Sequence, residues 1–316
     1  MPWSAGQTGQ PITTGRPLYG HAVSPDGRRM IIDAQHADRE PYPEVAVLNL
    51  SDSSVELLSL LSKPRMVHWS PDGVQLLYVH TNADSGAELV LYDFASGDNT
   101  PIAAMPNIVF AAGWSADGRQ IALVAEDDGQ YDVYVLDVAT RAVRRLTNTP
   151  AVEVAVAWSP VGHALLIGAT SYNEPVLREG PPYAVTALHL IDSDGQSRLL
   201  DTYETFVSSN SLAWSADGQR IALSNAGALC ILELTTSHTT CPLADAEPFG
   251  SYFIEEQPAW SADDRWLAFR ATGFEDGQCF GVYALEVATG EVSIVEEGSC
   301  ETGPLYWVDD LEGATH

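Results

Sequence analysis

A chain of 316 residues is longer than one average domain, although a propeller or barrel reaches that length as a single unit. Hydrophobic residues make up 45% and charged residues 18%, so a real core can be buried; no apolar run approaches the ~18 residues of a membrane helix, which excludes one. Asp and Glu number 43 against 15 Lys and Arg, and the formal charge of −28 repels nucleic acid and anionic lipid while favouring cations and basic partners.

The first residues, Met1-Pro2-Trp3-Ser4-Ala5-Gly6-Gln7, have no basic n-region and no apolar h-region. They do not read as a signal peptide, so any signal or anchor segment is expected to lie outside this chain. Residues 8–14 include Gln10-Pro11-Ile12-Thr13-Thr14, which is similar to Thr100-Pro101-Ile102-Ala103 further on. This stretch is a candidate closing strand for the last repeat.

From Ser24 onward one turn motif recurs: Val23-Ser24-Pro25-Asp26-Gly27, then Trp69-Ser70-Pro71-Asp72-Gly73 and Trp114-Ser115-Ala116-Asp117-Gly118. It continues as Trp158-Ser159-Pro160-Val161-Gly162, Trp214-Ser215-Ala216-Asp217-Gly218 and Trp260-Ser261-Ala262-Asp263-Asp264. The serines lie 46, 45, 44, 56 and 46 residues apart, a period that suits four short strands per repeat. Pro or Ala, then Asp, then Gly fit successive positions of a tight β-turn. The run after each turn, such as Gln75-Leu76-Leu77-Tyr78-Val79, is apolar on both faces, as in a strand packed between two sheets. Alternating runs such as Glu88–Tyr92 and Asp132–Leu136 come next, then a hairpin turn and a last strand such as Val292–Val295. With the strands of a repeat lettered A to D, A ends on Trp in five of six repeats. A flat side chain at one register in so many repeats reads as packing between neighbouring sheets rather than as a ligand platform. No window of 12 residues keeps a helical period.

The expected fold is therefore all-β: a six-bladed β-propeller of four-stranded antiparallel blades, in one domain over residues 1–316. The repeats fall at about 17–64, 65–109, 110–152, 153–208, 209–254 and 255–308. Gly303-Pro304-Leu305-Tyr306-Trp307-Val308 looks like a seventh A strand, 47 residues after Trp260, so a seven-bladed ring with one incomplete blade is the alternative.

Four cysteines remain to be placed. Cys230 and Cys241 flank one C–D hairpin, and Cys279 and Cys300 flank another. Disulfides Cys230–Cys241 and Cys279–Cys300 are expected, which place the protein in a periplasmic or extracellular compartment. Buried free thiols are the competing reading, and a zinc site is disfavoured because no C-x-x-C pair occurs.

The Trp-Ser-Pro/Ala-Asp-Gly turn and the apolar strand after it resemble the WD-like repeat of TolB-type propellers, over about residues 17–308. The separate N-terminal α/β domain of TolB has no counterpart in this chain. The resemblance implies a scaffold repeat, a protein partner and an envelope location. The same repeats build the propellers of prolyl oligopeptidase-type and tricorn-type peptidases, whose chemistry sits in another domain. No G-x-S-x-G elbow occurs here.

Blade geometry puts A–B and C–D turns at one end and B–C and D–A connections at the other. The irregular lengths fall at the second end, in Gln35–Pro43, His80–Ala87, Ser171–Tyr183 and Ala244–Gln257, so that face is the expected functional one. Candidate protein-binding residues are Tyr172, Asn173, Glu174, Leu177, Arg178 and Tyr183 in one loop, and Phe249, Tyr252 and Phe253 in another. Glu126, Asp127, Asp128 and Asp132 are a weak calcium candidate, without the spacing of a calcium loop; no other cofactor is expected. The eight histidines are scattered, and His21 and His68 fall on A strands. The leading expectation is a non-catalytic protein- or peptide-binding scaffold. The alternatives are a small-ligand or ion-binding sensor and a glycan-active hydrolase or lyase; the sialidase Asp-box is not matched.

Overall fold

The computed structural model describes residues 20–307 apart from 35–43, 63, 65, 83–85, 106, 173–183, 193–194, 205–211, 226, 245–251, 274–278, 298–304 and 306. They fall into two compact units that divide between Asn148 and Thr149. Every regular element among the described residues is a strand.

The first unit holds three blades. Blade 1 is β1 (Gly20–Val23), β2 (Arg29–Ala34), β3 (Glu44–Asn49) and β4 (Val55–Leu57). Blade 2 is β5 (Val67–Trp69), β6 (Gln75–Asn82), β7 (Gly86–Asp93) and β8 (Asn99–Met105), and blade 3 is β9 (Ile108–Trp114), β10 (Gln120–Asp127), β11 (Gln130–Asp137) and β12 (Val143–Arg145). The second unit holds the other three. Blade 4 is β13 (Val152–Trp158), β14 (Leu165–Tyr172), β15 (Ala184–Ile191) and β16 (Ser197–Tyr203). Blade 5 is β17 (Leu212–Trp214), β18 (Arg220–Asn225), β19 (Ala228–Glu233) and β20 (His238–Thr240). Blade 6 is β21 (Tyr252–Trp260), β22 (Trp266–Gly273), β23 (Cys279–Glu286) and β24 (Val292–Glu297). Each sheet is a simple antiparallel meander in strand order, and together they are the six blades of a β-propeller.

The doubly apolar B strands explain the packing. On β6, Leu76 and Tyr78 face blade 1 in a cluster with Ile31, Val45 and Val47. Leu77 and Val79 point the other way, into a cluster with Ile121, Leu123 and Leu136 of blade 3. In the second unit, one cluster joins blades 4 and 5 through Leu166, Leu188, Leu223 and Leu232, and another joins blades 5 and 6 through Ala222, Ile231, Phe269 and Leu285. The core thus lies between blades, and the period-2 alternation of each strand feeds two cores at once.

Two further contacts tie neighbouring blades. The Trp69 indole N–H donates to the Ala22 carbonyl at 3.2 Å, and Trp260 to Ala213 at 3.1 Å. Trp307 repeats the bond to Ala259 at 2.7 Å. Most of the expected seventh A strand lies outside the described residues, but its tryptophan takes the usual seat on the preceding A strand. Arg29 lies 4.6 Å from the Trp69 ring centroid and donates to the Gly73 carbonyl; Arg220 does the same with Trp260 and the Asp264 carbonyl. The expected closing strand at 8–14 lies outside the described residues.

Candidate functional face

The two ends of the blades are built differently. At the A–B end each turn is a closed unit. Ser24, Ser70, Ser115, Ser215 and Ser261 donate through Oγ to the Asp two residues on, at 2.5–2.7 Å. The same Oγ accepts the N–H five residues on, at 2.9–3.0 Å. The Ser24 hydroxyl, first among its causes, holds the Asp26 carboxyl below the usual carboxylate range, and Asp72 and Asp263 are held down by Ser70 and Ser261 in the same way. In the fourth repeat Val161 replaces the Asp, and Ser159 Oγ accepts the Val161 N–H instead. These serines are buried and serve the turn.

The B–C/D–A end carries the remaining buried polar side chains. Beyond the turn serines, those buried among the described residues are Asp132, Glu153, Thr170 and Thr186. Asp132 begins a C strand, Glu153 begins an A strand, and Thr170 and Thr186 face each other where β14 and β15 approach their B–C connection. In blade 3, Asp132 is paired with Arg145 and accepts from Thr147 Oγ1 at 3.1 Å, while Arg145 also reaches Asn148 Oδ1 at 3.0 Å. In blade 4, Glu153 Oε1 accepts from Thr149 Oγ1 at 3.2 Å, and the two threonine hydroxyls meet at 2.8 Å. On the connection into blade 2, Ser62 Oγ lies 2.7 Å from Nδ1 of His80 on β6.

The sequence candidates fall unevenly on this frame. Tyr172 ends β14 opposite Ala184, whereas Asn173, Glu174, Leu177, Arg178, Tyr183 and Phe249 lie outside the described residues. Tyr252 and Phe253 belong to no loop: they open β21, paired with Gly273 and Thr272. The β-bulge between Glu255 and Ala259 breaks the alternation that reveals a strand, which is why the sequence reads as a connection there. Glu126, Asp127, Asp128 and Asp132 sit on the β10–β11 hairpin without converging. Glu126 accepts from Gly129 N and Asn107 Nδ2, Asp132 is engaged by Arg145 and Thr147, and no group of three His, Cys, Asp or Glu among the described residues could hold a metal ion. His68 packs against the next A strand, where a Cβ on Gly113 would come within 3.0 Å of its Nδ1. Cys230 and Cys241 form the expected disulfide, since the register Ile231↔Thr240 puts them side by side across β19 and β20. The pairing of Cys279 with Cys300 lies outside the described residues. Ser62–His80 and the Asp132–Arg145–Thr147 network went unread in the sequence, because each joins residues through cross-strand register rather than through a local motif.

The TolB beta propeller domain family matches residues 62–177. The chain carries a TolB-like β-propeller. The uncharacterized peptidase YuxL of Bacillus subtilis is 23% identical over 209 residues, covering 64% of this chain and 28% of that protein. The Tol-Pal system protein TolB of Anaeromyxobacter dehalogenans is 32% identical over 101 residues, covering 32% of this chain and 22% of that protein. The chain thus spans about a quarter of the length of these two relatives. Among solved structures, the β-propeller domain of the trilobed protease from Pyrococcus furiosus superposes with a TM-score of 0.64 at 17% identity, covering 89% of this chain and 86% of that one.

These likenesses correct the expectation of a non-catalytic scaffold and of no enzymatic role, because a peptidase and a protease propeller are among the proteins this chain is similar to. The physical reason is visible in the turns. Their Ser, Asp and Gly residues close hydrogen bonds within the TolB-like repeat, so the motif specifies a blade and says nothing of the chemistry joined to it. No helix among the described residues is long and apolar enough to cross a membrane.

Proposed function

We propose that this propeller is a component of a peptide hydrolase, which holds a peptide segment at the B–C/D–A end of its blades and presents it to the hydrolytic centre. The observation that carries this reading is the division of labour between the two ends. The A–B end is closed by Ser–Asp turns, while the buried Asp132, Glu153, Thr170 and Thr186 all lie toward the other end, among connections of irregular length. Rigid frames with variable loops are where recognition concentrates. The peptidase relative and the protease propeller support the reaction class. The charge of −28 selects cationic peptides, and the Cys230–Cys241 disulfide suits a periplasmic or extracellular compartment.

Fluorescence anisotropy with labelled peptides of graded charge tests the proposal. Lys-rich peptides are expected to bind the full chain, more weakly as salt rises, and to lose affinity at least about tenfold when residues 174–181 are replaced by a short Gly-Ser linker. Absence of peptide binding, or binding indifferent to that replacement, overturns it.

A further inference from the structure

We propose that Ser62 and His80, with Glu88 as the positioning carboxylate, form a nucleophilic acyl-transfer site for small carboxylic esters. The site goes beyond the peptide-holding role and does not depend on it.

Ser62 lies on the D–A connection between β4 and β5, and His80 lies near the end of β6. Their side chains meet at 2.7 Å, within the reach a nucleophile and its base require. Both are partly exposed, so a substrate can reach them. The loop does not need this bond to hold its place. Tyr78 Oη accepts the Leu61 N–H at 3.2 Å and donates to Asn99 Oδ1 at 2.7 Å, and Asn99 Nδ2 donates to the Ser59 carbonyl at 2.8 Å. Burial raises the Tyr78 phenol, which keeps it protonated as that donor. Ser62 is therefore presented by a braced segment, the preorganisation that catalysis rewards.

The third member comes from register. His80 and Glu88 are direct partners across β6 and β7, and directly opposed residues share a face of the sheet with Cβ atoms about 5 Å apart. In the proposed site the imidazole carries its proton on Nε2, on the side of Glu88, and Nδ1 accepts the serine proton. The order differs from the familiar triad, in which serine faces Nε2, but the roles are those that define such constellations.

The step balances without a co-reactant beyond water. Ser62 Oγ attacks the ester carbonyl carbon, and its proton passes to His80 Nδ1. The C–O bond to the leaving alcohol breaks, and the alkoxide takes that proton. Water then attacks the acyl-serine, giving the carboxylic acid and restoring the hydroxyl.

A fluorophosphonate probe on the full chain, with the labelled residue mapped by mass spectrometry, reads the site, alongside release of p-nitrophenol from p-nitrophenyl acetate. Ser62 is expected to carry the label. Ser62→Ala removes it, and His80→Gln slows labelling by about 100-fold or more with the melting temperature unchanged. Glu88→Gln slows it too, and Glu88→Asp restores most of the rate, which a purely structural role for Glu88 does not require. A wild-type chain without label on Ser62 overturns the proposal whether or not the variants fold, and so does His80→Gln labelling at the wild-type rate.

Discussion

Asp264 stands where four of the other repeats carry glycine next after the turn Asp, and its φ of +56° is the left-handed conformation that glycine adopts freely. The residue earns its place through both oxygens, which accept the N–H groups of Ala216 and Asp217 in the neighbouring turn at 2.6 and 2.8 Å. Room for this depends on what faces it. A Cβ at Gly218 would fall 2.3 Å from Val161 Cγ2 and one at Gly73 would fall 3.3 Å from the Arg29 guanidinium, whereas Asp264 faces the small Ala216. The turn aspartates make a second residue-scale statement, about pH. Asp26, Asp72 and Asp263 all titrate below the usual carboxylate range, their serine hydroxyls being the largest cause. A depressed folded pKa means that the unfolded chain binds more protons in the window below about pH 4, so this stability is fully present above that window and is lost as pH falls through the folded pKa. The triple variant Asp26→Asn, Asp72→Asn, Asp263→Asn is expected to be less stable than the wild type at pH 6, with a smaller further loss between pH 4 and 3. Urea midpoints at the three pH values measure this, and equal slopes for the two proteins would refute it.

At the scale of the element, the blade was legible and the connections were not. Each turn motif sits at a fixed offset from a doubly apolar B strand, so six copies placed the A–B turns and the B strands after them; β6 runs Gln75–Asn82 where the apolar run Gln75–Val79 marks it, whereas the A strand β21 begins at Tyr252, inside a stretch read as a connection. In blade 3 the B and C strands run to Asp127 and from Gln130 because Asp128 and Gly129, both at positive φ, make a tight turn that polar composition alone does not distinguish from a loop. The Ser62–His80 pair was illegible for another reason: its residues are 18 apart, and the loop between β4 and β5 has no period to read. Trp307 was half legible. Its spacing matched an A strand, and its indole takes the seat that an A-strand tryptophan takes. The indole bond separates two kinds of tryptophan, since Trp260 and Trp307 donate to the preceding A strand while Trp114, Trp158 and Trp214 bury the same N–H without an acceptor among the described residues. Removing the N–H from Trp307 leaves the Ala259 carbonyl short of a donor, a loss of about 1–3 kcal/mol, whereas removing it from Trp214 relieves a buried donor. Trp307→Phe is therefore expected to lower stability by more than Trp214→Phe in urea denaturation, and the reverse ranking would show that the bond contributes nothing.

Across the whole molecule, charge rather than packing sets the weak point. Only 15 cationic residues oppose 43 acidic ones, and several of the cations are committed to holding blades together. Arg29 and Arg220 lie over tryptophans of the next blade, and Arg198 bonds the Leu234 carbonyl and Ser237, while Arg145 is taken up within blade 3 by buried Asp132. Cations engaged in these contacts are not available to offset the exposed carboxylates, which remain in large surplus and repel one another. Self-repulsion of that kind opposes the compact state and reaches about 30 Å at 0.01 M salt but only about 10 Å at 0.1 M. Sodium chloride raised from about 10 to about 300 mM is thus expected to lift the melting temperature by a few degrees at pH 7, with most of the gain below about 0.1 M, where the screening length falls fastest. The inter-blade arginine contacts predict the opposite sign if they dominate, because salt weakens attractive pairs as well. Calorimetric melts across that series decide between the two: a melting temperature that falls with salt would mean that the arginine contacts outweigh the surplus of 28 negative charges.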